Sequence, residues 1–241
     1  MSTLNQSIRL FIRAIKYRYQ KDPDELRRLL SAIGPGDTVL DIGAHKGAYT
    51  YWLARRVGSS GRIHAFEPQP RLAANLRSVF ASPRWSQISI HELALSDQSG
   101  DASLFRATDA DSPGASLNAS VLGDGAVRLT VATVTLDQFI ESQGSPKVRA
   151  IKCDVEGHEL SVFRGGRRLL ERDRPLLYFE CESRLHMAEP MEEVFRFLHT
   201  LNYHGRFFDA GKLRPLTEFD AAQHQRAGVK PYINNFFFEA T

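Results

Sequence analysis

The sequence predicts a doubly wound α/β fold: a mostly parallel sheet with helices on both faces, closed by an antiparallel strand pair. Three observations carry that expectation. Short apolar runs alternate with helical segments along most of the chain. Acidic residues stand where several of these runs end, as they do around a ligand crevice in such sheets. Near the end, Tyr203–Phe208 and Ile233–Glu239 read as a closing antiparallel pair. With 241 residues, 42% hydrophobic and 24% charged, the chain suits one such domain with a short addition.

The elements follow in order. Leu4, Ile8, Phe11, Ile12, Ile15 and Tyr19 recur at helical spacing, with Arg9, Arg13, Lys16 and Arg18 around them. That amphipathic helix serves either to pack on its own domain or a second subunit, or to lie on a membrane surface. A second helix, Asp24 to Ala32, stops at Gly34-Pro35-Gly36, so residues 1–35 form a helical extension and 36–241 the main domain. Thr38–Ile42 is a strand, Ala48–Val57 a helix and Arg62–Phe66 a second strand. Prolines 68 and 70 end that strand and set up the helix Arg71–Phe80. Gln87–Leu95 is the third strand. The stretch 96–125 loosens into Gly, Ser, Asp and Ala, with a short strand at Ala102–Phe105 and Ser112-Pro113-Gly114 as a lid hinge or plain surface loop. Val127–Val134 and Leu136–Glu141 are strand and helix, Val148–Asp154 and Pro175–Cys181 further strands, and Met191–Leu201 a helix.

Composition excludes several classes. The net charge of +3 is mild and basic residues interleave with acidic ones along the chain, so nucleic acid is not an expected partner. No run approaches the ~18 apolar residues of a spanning helix. Arginines and lysines interrupt the N-terminus, unlike a secretory leader. Cys153 and Cys181 lie in apolar runs and read as buried free thiols, which fits a cytoplasmic setting.

Chemistry concentrates at the strand ends. Asp41-Ile42-Gly43-Ala44-His45-Lys46-Gly47 joins a strand to a helix, where glycines allow close approach of a ligand and the helix start offers free N–H groups. The G-x-G-x-x-G pattern of dinucleotide sites is absent, which weakens a dehydrogenase reading, and so is the phosphate-cradling P-loop. A carboxylate before an open glycine loop suits a cofactor bearing an ammonium or sulfonium. Glu67, followed by Pro68, ends the neighbouring strand in the same crevice, placed to accept both hydroxyls of a ribose. Ala94-Leu95-Ser96-Asp97 offers Leu95 as an apolar wall for adenine and Asp97 as a polar partner for its amine. The densest cluster is Lys152-Cys153-Asp154-Val155-Glu156-Gly157-His158-Glu159. Asp154 projects beside the cofactor, and Asp154, Glu156 and His158 are the candidates to orient or deprotonate an acceptor hydroxyl. Glu159 fits the start of the following helix, and Glu180 and Glu182 are placed to reach the same cleft. The carboxylates are of a kind that holds a divalent metal, but none is expected; Cys153, Cys181 and the histidines show no zinc-ligand spacing.

Together Asp41–Gly47, Phe66-Glu67-Pro68, Ala94–Asp97, Thr135-Leu136-Asp137 and Lys152–Glu159 with Gly165 resemble the FkbM family of S-adenosylmethionine-dependent methyltransferases. The resemblance runs from Asp37 to Glu182, and Asn235–Phe238 resembles the family's closing strand. It implies a class I methyltransferase, Rossmann-like fold with a seven-stranded sheet, cofactor contacts at Asp41, Gly43 and Glu67, and O-methylation of a sugar, glycolipid or natural-product acceptor. The expected S-adenosylmethionine site is then Asp41, Gly43, Ala44, His45, Gly47, Glu67, Pro68, Leu95, Asp97 and Asp154. His45 departs from the asparagine often found there in the family, which brings a titratable group to the pocket. The competing expectation is a nucleotide-binding scaffold or regulator that keeps the fold and transfers nothing; the acidic cluster argues against it.

Overall fold

The computed structural model describes residues 3–107, 114–118, 126–186 and 190–241. The proposed hinge residues Ser112 and Pro113 lie outside them. The chain opens with α1 (Thr3–Lys16), a π-helical turn Tyr17–Lys21 and α2 (Pro23–Ser31). Then come β1 (Thr38–Ile42), α3 (Ala48–Val57), β2 (Arg62–Phe66) and α4 (Pro70–Val79), which Pro70 starts because its fixed φ suits a first turn. The middle of the chain holds β3 (Ile88–His91), β4 (Ala94–Ser96), β5 (Gly100–Arg106), β6 (Val127–Thr135) and α5 (Leu136–Ser142). The Thr135 hydroxyl caps α5 by accepting the Gln138 N–H at 3.1 Å. There follow β7 (Val148–Cys153), α6 (Glu159–Arg164), α7 (Arg167–Asp173), β8 (Leu176–Glu180), α8 (Met191–Thr200), β9 (Tyr203–Asp209), β10 (Lys212–Pro215), α9 (Ala221–His224) and β11 (Asn235–Ala240).

The main sheet runs β10-β9-β11-β8-β7-β1-β2-β3. The five strands from β3 to β8 are parallel, and β11, β9 and β10 complete it antiparallel. The expected seven strands are all present, and the β9–β10 hairpin adds an eighth at the edge. Period-two alternation feeds two cores. Leu40, Ile42, Phe236 and Phe238 face α5, α6 and α8, while Val39, Ala65, Tyr178 and Phe237 face α2 and α3. Leu10, Leu26, Leu29 and Ile33 of the N-terminal extension belong to the second core. Among the described residues no helix is long and apolar enough to cross a membrane.

The third expected strand breaks in two. Ile88–His91 pairs with β2 at the edge of the main sheet, whereas Ala94–Ser96 pairs in parallel with Thr133–Thr135 of β6. Those strands and β5 form a separate three-stranded sheet in the order β4-β6-β5, with Ala94, Leu104 and Val131 as its small core. The strands expected at 102–105 and 127–134 thus pair with each other in this small sheet and not in the main one. The small sheet contributes one wall of the cleft below.

Candidate active site

Strand order reverses between β1 and β7, where the chain steps from β1 outward to β2 and β3 on one side and from β7 to β8 on the other. At such a switch point the carboxyl ends of the strands open a crevice. Here it is a cleft of about 190 Å³. Gly43, His45, Glu67, Pro68, Asp154, Glu156, His158 and Glu180 line its polar parts; Phe66, Leu93, Leu95, Leu104 and Leu117 form an apolar wall, and Tyr17 borders it.

Beneath the cleft lies a buried ion cluster. Asp41 and Lys152 face each other across the β1–β7 register, with Lys152 Nζ 3.5 Å from Asp41 Oδ1 and 3.6 Å from Asp154 Oδ2. Lys152 also donates to the Gly43 carbonyl at 2.8 Å, and Thr50 donates to Asp41 Oδ2 at 2.5 Å. Burial alone would lower the Lys152 ammonium, but Asp154 and Asp41 outweigh it and hold the group above its ordinary value. Asp41, fully buried, is absent from the cleft lining. Its place is under the glycine loop, holding Lys152. Lys152 itself escaped the sequence reading of roles; the available signal was a lysine within an apolar strand run.

Backbone geometry shapes the loop after β1. Gly43 has φ +74°, and a Cβ there would lie 1.9 Å from the Asp154 carbonyl oxygen, so β1 and β7 touch backbone to backbone. His45 follows with φ 49°, and its N–H donates to Glu67 Oε2 at 2.9 Å. The other Glu67 oxygen accepts the Gln69 N–H at 3.0 Å, so this carboxylate fastens two loops and faces the cleft. Burial pushes it up to about 7. Burial, aided by Lys46, Arg13 and Lys152, lowers His45 to about 4, so its ring is neutral at neutral pH, and its buried Nε2 has no hydrogen-bond partner among the described residues. Ala44 is packed into the core, and Gly47 sits at the start of α3 against Leu76 and Phe80; neither lines the cleft.

After β7, Asp154 leaves 34% of its side chain exposed. Burial raises its carboxyl, and does the same for Glu156, to about 8, and for Glu180, to about 10, helped by mutual repulsion. His158 shares a hydrogen bond of 2.9 Å with the Ser96 hydroxyl, tying this loop to β4. Asp97 is exposed and outside the cleft lining, where Leu95 stands as expected. Glu182 turns away, accepting bonds from Arg184 and Tyr232. Glu159 points inward. One oxygen accepts the N–H groups of Val155 and Gly157, and the other is 3.0 Å from His186 Nε2, itself 3.3 Å from Cys181 Sγ. Those three donor atoms lie within 4.8 Å of one another and have metal-ligand chemistry, a grouping the linear spacing hid. Both cysteines are free and buried.

A second, strongly polar pocket meets the cleft at Asp154. Lys21, Asp22, Lys152, Asn234 and Asn235 line it, and Tyr17 and Glu180 belong to both. The arrangement thus offers an apolar slot with a carboxylate at one end, and at the other an acidic group shared with a chamber rich in donors and acceptors.

Comparison with known proteins agrees with this architecture. Residues 41–205 match the family model described as the methyltransferase FkbM domain. Over 144 residues, 60% of this chain, it is 30% identical to the hexuronic acid methyltransferase AglP of Haloferax volcanii, covering 56% of that protein. Over 191 residues, 72% of this chain and 75% of the relative, it is 27% identical to the 2-O-methyltransferase NoeI of Sinorhizobium fredii. The structure of methyltransferase FkbM from Methylobacillus flagellatus superposes with a TM-score of 0.55 at 14% identity, covering 97% of this chain and 54% of that one. An O-methyltransferase from Bacillus cereus in complex with S-adenosylhomocysteine gives 0.50 at 14% identity, over 99% and 90%. The chain spans about half the length of the Haloferax and Methylobacillus proteins. At such identities the solved structures share the fold, that of class I methyltransferases.

Proposed function

This chain belongs to the FkbM methyltransferase family, and from that premise we propose that it moves the methyl group of S-adenosylmethionine onto a hydroxyl of a sugar-bearing acceptor. The observation that carries the reading is the meeting of the apolar cleft and the polar pocket at Asp154. The residues present suit the cofactor. Glu67 has lone pairs left for ribose hydroxyls, Phe66, Leu93 and Leu95 suit an adenine face, and Gly43 and Asp154 line the cleft where the amino-acid end would lie. His45 Nε2, buried and without a hydrogen-bond partner among the described residues, is a further polar atom there for a ligand to satisfy. When bound, S-adenosylmethionine supplies a methyl group activated by a sulfonium.

The chain's own groups do the rest. Glu156 and Glu180, raised to about 8 and about 10, are protonated at neutral pH and flank Asp154 as hydrogen-bonding groups. Asp154 is placed to take the proton of an acceptor hydroxyl, and its raised carboxyl is a better-matched base than an ordinary aspartate. Glu156 orients the acceptor, and His158, anchored on Ser96, holds the loop that carries both. Positioning provides most of the rate. The two relatives, described as hexuronic acid and 2-O-methyltransferases, support a sugar acceptor, as does the hydrogen-bonding pocket beside Asp154.

Transfer of labelled methyl to hexuronic acid and hexose glycosides tests this. Asp154→Asn should abolish turnover while S-adenosylmethionine affinity stays within about tenfold, or ~1.4 kcal/mol. Full turnover in that variant excludes the base role.

A further inference from the structure

The even spread of charge along the sequence hides an imbalance. Residues 1–21 hold five of the 31 basic residues and none of the 28 acidic ones, so this segment carries +5 and the remainder −2. Helix α1 and the turn after it also hold four of the five exposed large hydrophobic side chains among the described residues: Ile8 at 49%, Phe11 at 49%, Ile12 at 61% and Tyr19 at 65%. Ile8, Phe11, Ile12 and Ile15 form one stripe, while Leu10 and Ala14 on the other side are buried and Trp52 donates to the Ala14 carbonyl at 2.8 Å. The helix is thus fixed to the body with its apolar stripe facing out. Beside the stripe, Arg9 and Arg13 of α1 and Lys46 and Arg71 opposite line a groove of about 420 Å³ with no acidic side chain among the described residues of its lining.

We propose that α1 docks on an anionic bilayer surface, the Phe11–Ile12 stripe entering the headgroup boundary and lipid phosphates lying against the groove between Arg13 and Lys46. An in-plane helix combines an apolar face with flanking cations in this way. A second copy of the same face is a poorer occupant, because it brings a second basic row against the first with no acid on α1 to pair with it. Tyr17, the residue after α1, borders the cleft, and His45 lies in both groove and cleft. Docking therefore sets the cleft mouth beside the membrane, whatever chemistry the cleft performs.

Co-sedimentation of the full chain with vesicles tests the proposal. Vesicles of equal parts phosphatidylglycerol and phosphatidylcholine should bind it, pure phosphatidylcholine should not, and raised salt should release it. Phe11→Ser with Ile12→Ser should abolish binding and leave the chain folded, with only a small drop in melting temperature, since Ile12 is exposed and Phe11 keeps one edge on Tyr51. Arg13→Glu with Lys16→Glu should weaken it by at least about tenfold. Failure of the unaltered chain to bind anionic vesicles overturns the proposal, as does binding that survives the serine pair. A dimer in sedimentation equilibrium that the serine pair dissociates, without vesicle binding, assigns the stripe to a second copy and overturns it too.

Discussion

Glu156 sits at φ 54° with its carboxyl pushed up to about 8 by burial and then by Asp154, Glu159 and Glu182, with Arg184 opposing. A carboxyl raised in the fold stabilises it fully below the ordinary value of 4.5, and that contribution is lost as pH rises through about 8. Glu156→Gln should leave the melting temperature unchanged in acid and raise it progressively from pH 4.5 upward, the difference levelling off above about pH 8. Fluorimetric melting of both proteins across that range checks it; parallel curves refute it. Glu67, raised to about 7, acts in the same direction, whereas His45, lowered to about 4, acts only on the acid side. Residues at strand ends were legible because an apolar run followed by an acid has one place to put it: Glu67, Asp154, Glu156 and Glu180 all reach the cleft. Asp41 misled by the same rule, since its partner Lys152 comes from a strand more than a hundred residues later and draws it under the loop. Glu159, Cys181 and His186 converge only through the fold.

The contact between the β1 loop and the end of β7 is the element-scale joint of the site. Gly43→Ala brings a Cβ 1.9 Å from the Asp154 carbonyl and forces alanine to φ +74°. Gly58→Ala is the control, with φ +67° but nothing within 4 Å. Backbone strain alone costs about 1–3 kcal/mol. Gly43→Ala should therefore lose more stability than Gly58→Ala and lose S-adenosylhomocysteine binding, which Gly58→Ala should keep; equal melting temperatures would contradict the close contact. Most elements were legible from periodicity, to within a residue or two at their ends. The split of 87–95 was not, because a continuous apolar run does not say which sheet it joins, and the parallel partner Thr133–Thr135 lies far along the chain. Asp97 followed that misreading: past β4 it faces solvent, and Leu95 alone of the pair lines the cleft.

At the scale of the molecule, an acidic cleft sits at the sheet's switch point while a basic, apolar-striped helix covers one flank. Doubly wound topology was readable from the alternation of elements, and the family from five short motifs. The polar pocket proposed for the acceptor takes Lys21, Asp22, Asn234 and Asn235 from opposite ends of the sequence, and they form no motif. The central claim is that the cleft holds an adenosyl sulfonium cofactor. Isothermal calorimetry tests it most directly, with S-adenosylmethionine, S-adenosylhomocysteine and, as control, NAD, on the unaltered chain and on Glu67→Ala. The account predicts heat from both adenosyl ligands, none from NAD, and at least about tenfold weaker binding in Glu67→Ala, near 1.4 kcal/mol. No binding of either adenosyl ligand would contradict it and leave a fold retained without its chemistry.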